Sequence, residues 1–98
     1  MPNVIVKHPT MPPKPSLSAA LRAFNRNAFD QAATLCRDYL AVRPTDADAL
    51  HILGVSEFRR GAYESAVEWI GRALEARPGD ASMRTNYASA LMEADRLD

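Results

Sequence analysis

Residues 47–80 read ADALHILGVSEFRRGAYESAVEWIGRALEARPGD, and this stretch decides the fold of the chain. On both sides of Gly61 its apolar residues recur every three or four positions, which is the spacing of one buried face on an α-helix. Glycine readily adopts the left-handed conformation that ends a helix, and the Pro78-Gly79 pair ends the second one. Because so short a connection leaves two helices antiparallel, the stretch predicts a helical hairpin.

The same landmarks recur at intervals of 34 residues elsewhere in the chain. Asn27, Gly61 and Asp95 are all residue types that tolerate the left-handed turn conformation, and Pro44 precedes Pro78 by the same interval. A fixed period of this length indicates stacked units, each of which needs its neighbour to bury an apolar face. The sequence therefore predicts an array of hairpins.

Five helices follow from this pattern, and the chain is predicted to be all-α. Ser16, Asp46 and Asp80 are suited to cap the first, third and fifth helices, because their side chains can accept a hydrogen bond from a free backbone amide. The first predicted helix follows Ser16 and ends between residues 25 and 27, and the others span residues 30–42, 47–60, 64–76 and 81–94. Small residues predict where helices cross closely, namely Ala20, Gly54 and Ala88 on the odd-numbered helices and Ala32 and Ala66 on the even-numbered ones.

A family resemblance rests on Leu50, Leu53, Gly54, Gly61, Tyr63, Ala66, Ile70, Ala73 and Pro78. This run resembles a tetratricopeptide repeat (TPR) at its usual length. Residues 13–46 resemble the repeat less closely, with Ala19-Ala20 in place of the Leu-Gly pair, and residues 81–98 resemble only its beginning. The resemblance implies a right-handed α-solenoid of antiparallel helix hairpins, about two and a half TPR units, preceded by an extended, proline-rich leader at residues 1–15.

The resemblance also implies a function, since TPR proteins bind a peptide or a partner helix along a concave groove lined by the first helix of each pair. The groove positions of the family fall on Leu17, Leu21, Phe24, Asn25, His51, Val55, Phe58, Arg59, Thr85, Ser89 and Met92. Phe24 and Phe58 fit two interpretations, either as anchors for a ligand or as local packing. The carboxylate clamp of one TPR subfamily is absent, because its places hold Leu17, Leu21, Ile52, Ser82 and Asn86. A more apolar ligand, or the leader's own Val4-Ile5-Val6 folded back into the groove, fits these residues better.

Composition and charge disfavour nucleic acid and membranes as partners, which leaves another protein as the expected partner. The chain has 12 basic and 12 acidic residues, so it lacks the electrostatic footprint expected for nucleic acid or an anionic membrane. A helix-turn-helix DNA reader is disfavoured, since Asp48 and Glu57 offset Arg59 and Arg60 in the third helix. We expect no membrane span, and the single cysteine favours a reducing compartment, the cytoplasm. The excess of arginine over lysine, with abundant alanine, suggests a bacterial source.

The chain has only two histidines and one cysteine from which a reactive site could be built, so no catalytic residue, metal site or cofactor is predicted. Cys36 falls on the apolar face of the second helix and is expected to be a buried thiol. His8 lies in the leader, and His51 lies in the groove set, where it could hydrogen-bond a ligand or simply be exposed. Cys36, His8 and His51 show no metal-ligand spacing, and the glycines form no phosphate-binding loop.

Two hypotheses about the whole protein stand side by side. One is a stand-alone adaptor that binds another protein; the other is the non-catalytic N-terminal TPR arm of a larger bacterial enzyme, such as a glycosyl- or sulfotransferase. The last predicted helix carries an apolar strip, which indicates either a fragment of a longer array or a homo-oligomer formed through that helix. The strip consists of Ala90, Leu91, Met92 and Ala94.

Overall fold

The computed structural model describes residues 16–96, and within them the chain forms five α-helices and no strand. The helices are α1 (Leu17–Asn25), α2 (Phe29–Val42), α3 (Ala47–Arg59), α4 (Tyr63–Ala76) and α5 (Ala81–Asp95). The all-α prediction is confirmed for these residues, with helix ends within one residue of those expected. The predictions made for the leader at residues 1–15, and for Leu97 and Asp98, lie outside the described residues.

The odd-numbered helices begin with the predicted caps. The Ser16 hydroxyl accepts from the amide of Ala19 at 3.3 Å, the Asp46 carboxylate accepts from that of Ala49 at 3.0 Å, and the Asp80 carboxylate accepts from that of Met83 at 2.9 Å. Each cap satisfies one of the amides that the first turn of a helix leaves without a partner. The even-numbered helices begin without a side-chain cap, directly after a tight turn.

The two hairpin turns use the left-handed conformation, as predicted. Asn27 has φ 63° and Gly61 has φ 85°. The third predicted turn, at Asp95, is wrong, because α5 continues through that residue in the right-handed conformation. The turns at Asn27 and Gly61 each lead into a helix that packs back on its predecessor, and no such helix follows α5 within residues 16–96.

Each helix packs on the next one along the chain, and in addition α1 contacts α3 and α3 contacts α5. The odd-numbered helices therefore lie side by side. The closest crossing is between α3 and α4 at Gly54, where a Cβ atom would clash with the side chain of Ile70 and lie 3.0 Å from its backbone nitrogen. The predicted partner of Gly54, Ala66, is buried, but Ile70 is the residue nearest to Gly54.

Two sequence-based expectations about α5 are wrong. Ala88 was expected to lie at a close crossing, but it is exposed because no described helix covers that side of α5. Ala90 was expected on an outer apolar strip, but it is fully buried against Ala66 and Ile70 of α4. Its neighbours Leu91 and Met92 are 44% and 59% exposed, as expected for that strip.

A buried carboxylate links three helices. Glu57 of α3 is only 4% exposed, and its Oε2 accepts hydrogen bonds from Arg37 of α2 and from the hydroxyl of Ser65 of α4, each at 3.0 Å. Its other oxygen accepts from Arg60 at the end of α3, and Arg60 in turn lies 2.7 Å from Asp30 of α2. Charge-assisted hydrogen bonds of this kind offset the cost of removing a carboxylate from water. The network therefore fixes α3 against both neighbouring helices.

Candidate binding face

The side-by-side odd-numbered helices define one candidate site, which we call the α1/α3/α5 face. The eleven predicted groove residues all belong to these three helices, four to α1, four to α3 and three to α5. Asn25, Arg59, Thr85, Ser89 and Met92 are exposed. The face is divided into two depressions, one on each side of α3.

The larger depression lies between α1 and α3 and has a volume of about 430 Å³. We call it the α1–α3 cleft. Its lining is mostly apolar, with Ile52 opposite Leu17 and Leu21, and Leu21 is 44% exposed. A mostly apolar concavity with a few polar groups is the usual character of a ligand-binding site. The residues lining it are Leu17, Ser18, Leu21, Asp48, His51 and Ile52.

A smaller cavity of about 110 Å³ lies between α3 and α5. Val55 and Phe58 of α3 form one wall, and Ile70 of α4 lies at its base. Asn86 and Ser89 of α5 supply the polar side. The volume is enough for one small apolar side chain, so this cavity is an accessory to the α1–α3 cleft.

A hydrogen bond between the two depressions ties α3 to α5. Nε2 of His51 lies 2.8 Å from the side-chain nitrogen of Asn86, so a neutral His51 accepts a hydrogen bond from the Asn86 amide there. Burial lowers the pKa of His51, and this effect outweighs the raising influence of Asp80 and Asp48. Arg77 lowers it further. The structure therefore favours the uncharged imidazole, which is the form that this bond requires.

Polar residues at the edge of the α1–α3 cleft already have partners in the chain. The guanidinium of Arg77 lies 2.9 Å from Asp48 and 3.7 Å from Asp80, which joins the start of α3 to the start of α5. Hydrogen bonding to Asp48 raises the pKa of Arg77, so this cation stays charged. The carboxylate that lines the cleft, Asp48, is thus paired with a cation, and most of the remaining lining is apolar.

The two phenylalanines of the predicted groove contact their own hairpins. Phe24 meets the ring of Phe29 edge-on at 5.4 Å, and Phe58 meets Tyr63 in the same way at 5.3 Å. Both rings are half-buried, and the guanidinium of Arg59 lies 4.8 Å from the centre of the Phe29 ring. Edge-to-face pairs stabilise the packing of two elements. These contacts agree with the local-packing interpretation of the two rings, while Phe58 also reaches the smaller cavity.

One set of repeat-equivalent positions on this face was not predicted from the sequence. Ser18, Ile52 and Asn86 are 34 residues apart, and each lines a depression. Ile52 and Asn86 had been noted only as places where a carboxylate clamp is missing. The 34-residue interval could have revealed these positions. His51 was already predicted to line the groove and Ile52 follows it directly, so the residues 34 positions before and after Ile52 could have been included.

The thiol, the potential metal ligands and the helix hydropathy of the described residues complete this description. Cys36 is fully buried, and burial raises the pKa of its thiol to about 12. Within residues 16–96, no group of His, Cys, Asp and Glu side chains is arranged to hold a metal ion. No helix in the same range has the length and apolar character needed to cross a membrane.

Comparison with protein-family models and with curated proteins gives no match to this chain.

Proposed function

We propose that this chain is a protein-interaction module of the TPR kind. In this proposal the five helices are about two and a half units of a right-handed α-solenoid, and the α1/α3/α5 face is the concave groove. The 34-residue recurrence of the turn residues and the adjacency of the odd-numbered helices support the arrangement. The proposed role is that of an adaptor in the cytoplasm, without catalytic activity of its own.

The α1–α3 cleft carries the proposal. It places three aliphatic side chains around a concavity of about 430 Å³, and its charged groups already have partners. Such a surface gains most from burying an apolar segment, because an incoming charge finds no free opposite charge there. We therefore propose an extended peptide or an amphipathic helix with aliphatic side chains as the ligand.

The alternative role, as the non-catalytic arm of a larger bacterial enzyme, uses the same face to recruit a substrate protein. No contact among the described residues favours it over the adaptor. The binding experiment below applies to both roles, because both require the α1–α3 cleft to accept a polypeptide.

The experiment selects peptides from a random library on the immobilised chain and measures their affinity by calorimetry. A matched pair of variants then locates the binding. Leu21→Asp places a charge in the cleft, whereas Val42→Asp places the same charge on α2, at a residue that is 68% exposed and away from the face. We expect Leu21→Asp to weaken binding by at least about tenfold and Val42→Asp to leave it unchanged.

Substitution of Phe24 and Phe58 by alanine is a less informative test of binding. Both rings pack against a ring of their own hairpin, so their loss would also change the fold. Amide shift mapping by NMR adds a second measurement. Shifts concentrated on α1 and α3 support the proposal. Equal affinity of wild type and Leu21→Asp, or shifts concentrated on α2 and α4, would contradict it.

A further inference from the structure

Helix α5 has an exposed stripe that is separate from the α1/α3/α5 face. Arg84, Ala88, Leu91 and Asp95 are all exposed, and they follow one another at intervals of four, three and four residues. That spacing places them along one side of a helix, in the pattern of the contact line between two paired helices. The opposite side of α5, with Met83 and Ala90, is buried in the protein.

The positions equivalent to this stripe on the other odd-numbered helices are helix-packing surfaces. On α3, the residues 34 positions before Ala88 and Leu91 are Gly54 and Glu57, and both are covered by α4. On α1, the corresponding residues are Ala20 and Ala23, which are fully buried. The same positions are therefore covered by a following helix in both complete hairpins, and on α5 they are exposed.

The spacing of the stripe, four, three and four residues, is the same in both directions, and its two ends carry opposite charges. If a second α5 lies antiparallel, with the twofold axis between positions 89 and 90, Ala88 faces Leu91 of the second copy and Arg84 faces its Asp95. A small residue then meets a large one, and each end joins opposite charges. A parallel pair would instead place Arg84 beside Arg84 and Asp95 beside Asp95, which is unfavourable. Neither Arg84 nor Asp95 forms an ion pair with another residue in the 16–96 range.

We propose that the α5 stripe is a homodimer interface, in which two copies of this chain pair antiparallel through Arg84, Ala88, Leu91 and Asp95. Its twofold symmetry uses the same surface on both copies. The stripe also borders a cleft of about 650 Å³ between α4 and α5, to which Arg84 and Tyr87 contribute. The groove residues Thr85, Ser89 and Met92 lie outside the stripe, so this interface is independent of the proposed peptide-binding function.

Sedimentation equilibrium of the full chain tests the dimer. Because α5 is only about 22 Å long, the interface is at the small end of specific contacts, and we expect dissociation in the micromolar range. The apparent mass should rise towards twice the monomer value between about 10 and about 500 μM. A constant monomer mass over that range would overturn the proposal.

Exchanging the charges of Arg84 and Asp95 tests both whether the α5 stripe forms the interface and whether the two α5 helices pair antiparallel. Arg84→Asp alone, or Asp95→Arg alone, places like charges opposite each other at both ends, and each should weaken the dimer by at least about tenfold. The double variant Arg84→Asp/Asp95→Arg restores opposite charges and should dimerise within about threefold of wild type. The control Asp38→Arg makes the matching change on the exposed side of α2 and should have no effect. A double variant that stays as weak as the single variants would contradict the antiparallel pairing.

Cross-linking provides a direct readout of orientation. A mixture of Arg84→Cys and Asp95→Cys chains should form the mixed disulfide, since the two positions face each other. Arg84→Cys alone should form little, because its two copies would be separated by about 16 Å along the axis. Efficient cross-linking of Arg84→Cys with itself would exclude the proposed geometry. Leu91→Asp should abolish both the dimer and the mixed disulfide, and retention of either would show that another surface is used.

Discussion

The hairpin α1–α2 and the hairpin α3–α4 both turn at a residue in the left-handed conformation, but they differ in the length of their first helix and in their side chains. At the helix crossing, the second hairpin has Gly54 against Ile70, while the equivalent residues of the first are Ala20 and Cys36, both fully buried. A smaller residue on one helix is matched by a larger one on its partner, so the two crossings fill similar space. The two hairpins therefore divide the space at the crossing differently between their helices.

The two hairpins also differ in how they are fixed. Glu57 anchors the second one to both neighbours, whereas its equivalent in the first is Ala23, which is buried without any polar partner. Gly61 turns the second hairpin, and Asn27 turns the first at a higher conformational cost. We therefore expect the second hairpin to be the more stable unit, with four substitutions that test the contributions separately.

The largest effect is expected from Glu57→Ala. It removes the acceptor of three hydrogen-bond donors and leaves a cavity at a nearly fully buried site, so the free energy of unfolding should fall by about 3 kcal/mol. Glu93→Ala is the matched control, because the ion pair of Glu93 with Arg96 is exposed, and it should cost less than about 0.5 kcal/mol. Chemical denaturation of both variants checks the prediction. Equal losses would show that the Glu57 network contributes no more than a surface pair.

Gly54→Ala tests the matched volumes at the crossing. The added methyl group would clash with Ile70, and the variant should lose about 2 kcal/mol of stability. In the Ile70→Cys background, which recreates the Ala20 and Cys36 combination, the same substitution should cost less than about 1 kcal/mol. Gly79→Ala is the control, since no atom lies within 4 Å of the position of its Cβ. A cost of Gly54→Ala that is the same in both backgrounds would rule out matched volumes as the explanation.

Gly61 tests the turn. Because Gly61 has φ 85° and open space around it, Gly61→Ala should cost about 1 to 1.5 kcal/mol through backbone strain alone. Gly61→Asn, which transfers the turn residue of the first hairpin, should cost only about 0.5 kcal/mol. Thermal denaturation of the two variants distinguishes these costs. If asparagine were as unfavourable as alanine, then the first hairpin would need another source of turn stability.

The smallest effect is a pH dependence that arises from His51, whose equivalent in the first hairpin is Leu17. Folding lowers the pKa of His51 from its usual 6.5, mainly by burial, so the unfolded chain binds the proton more readily. The contribution of neutral His51 to stability is complete above pH 6.5 and is lost as the pH falls from 6.5 towards the lowered pKa. His51→Leu, which copies the equivalent Leu17 of the first hairpin, should remove this part of the pH dependence. Denaturation midpoints at pH 7.5 and pH 5 check it, and identical slopes for both chains would contradict it.

The helices were predictable because they depend on local signals. Caps at Ser16, Asp46 and Asp80, turn residues at Asn27 and Gly61, and a regular apolar spacing determine where helices start and stop. The end of α5 was not predictable in this way. Asp95 occupies the sequence position of the other two turn residues, but in the structure it is still part of α5, so the repeat interval alone does not determine where this helix ends.

The candidate site was only partly predictable. The resemblance placed Leu17, Leu21 and His51 on one face, and in the structure these three line the α1–α3 cleft. In the sequence, Glu57 was interpreted only as an acidic residue that offsets an arginine of the same helix. Its role in the core was missed because the sequence does not show that Arg37 and Ser65 approach it from other helices. The hydrogen bond between His51 and Asn86 was missed for the same reason, since its residues are 35 positions apart.

The alternation of capped and uncapped helix starts has a consequence for the order of folding. The first turns of α1, α3 and α5 are satisfied by a residue immediately before them, whereas α2 and α4 begin from turns in which the amides of Ala28 and Ala62 donate to carbonyls of the preceding helix. The second helix of each pair therefore depends on the first being formed. As the chain leaves the ribosome, each hairpin is expected to close from its N-terminal side, so that assembly follows the direction of synthesis.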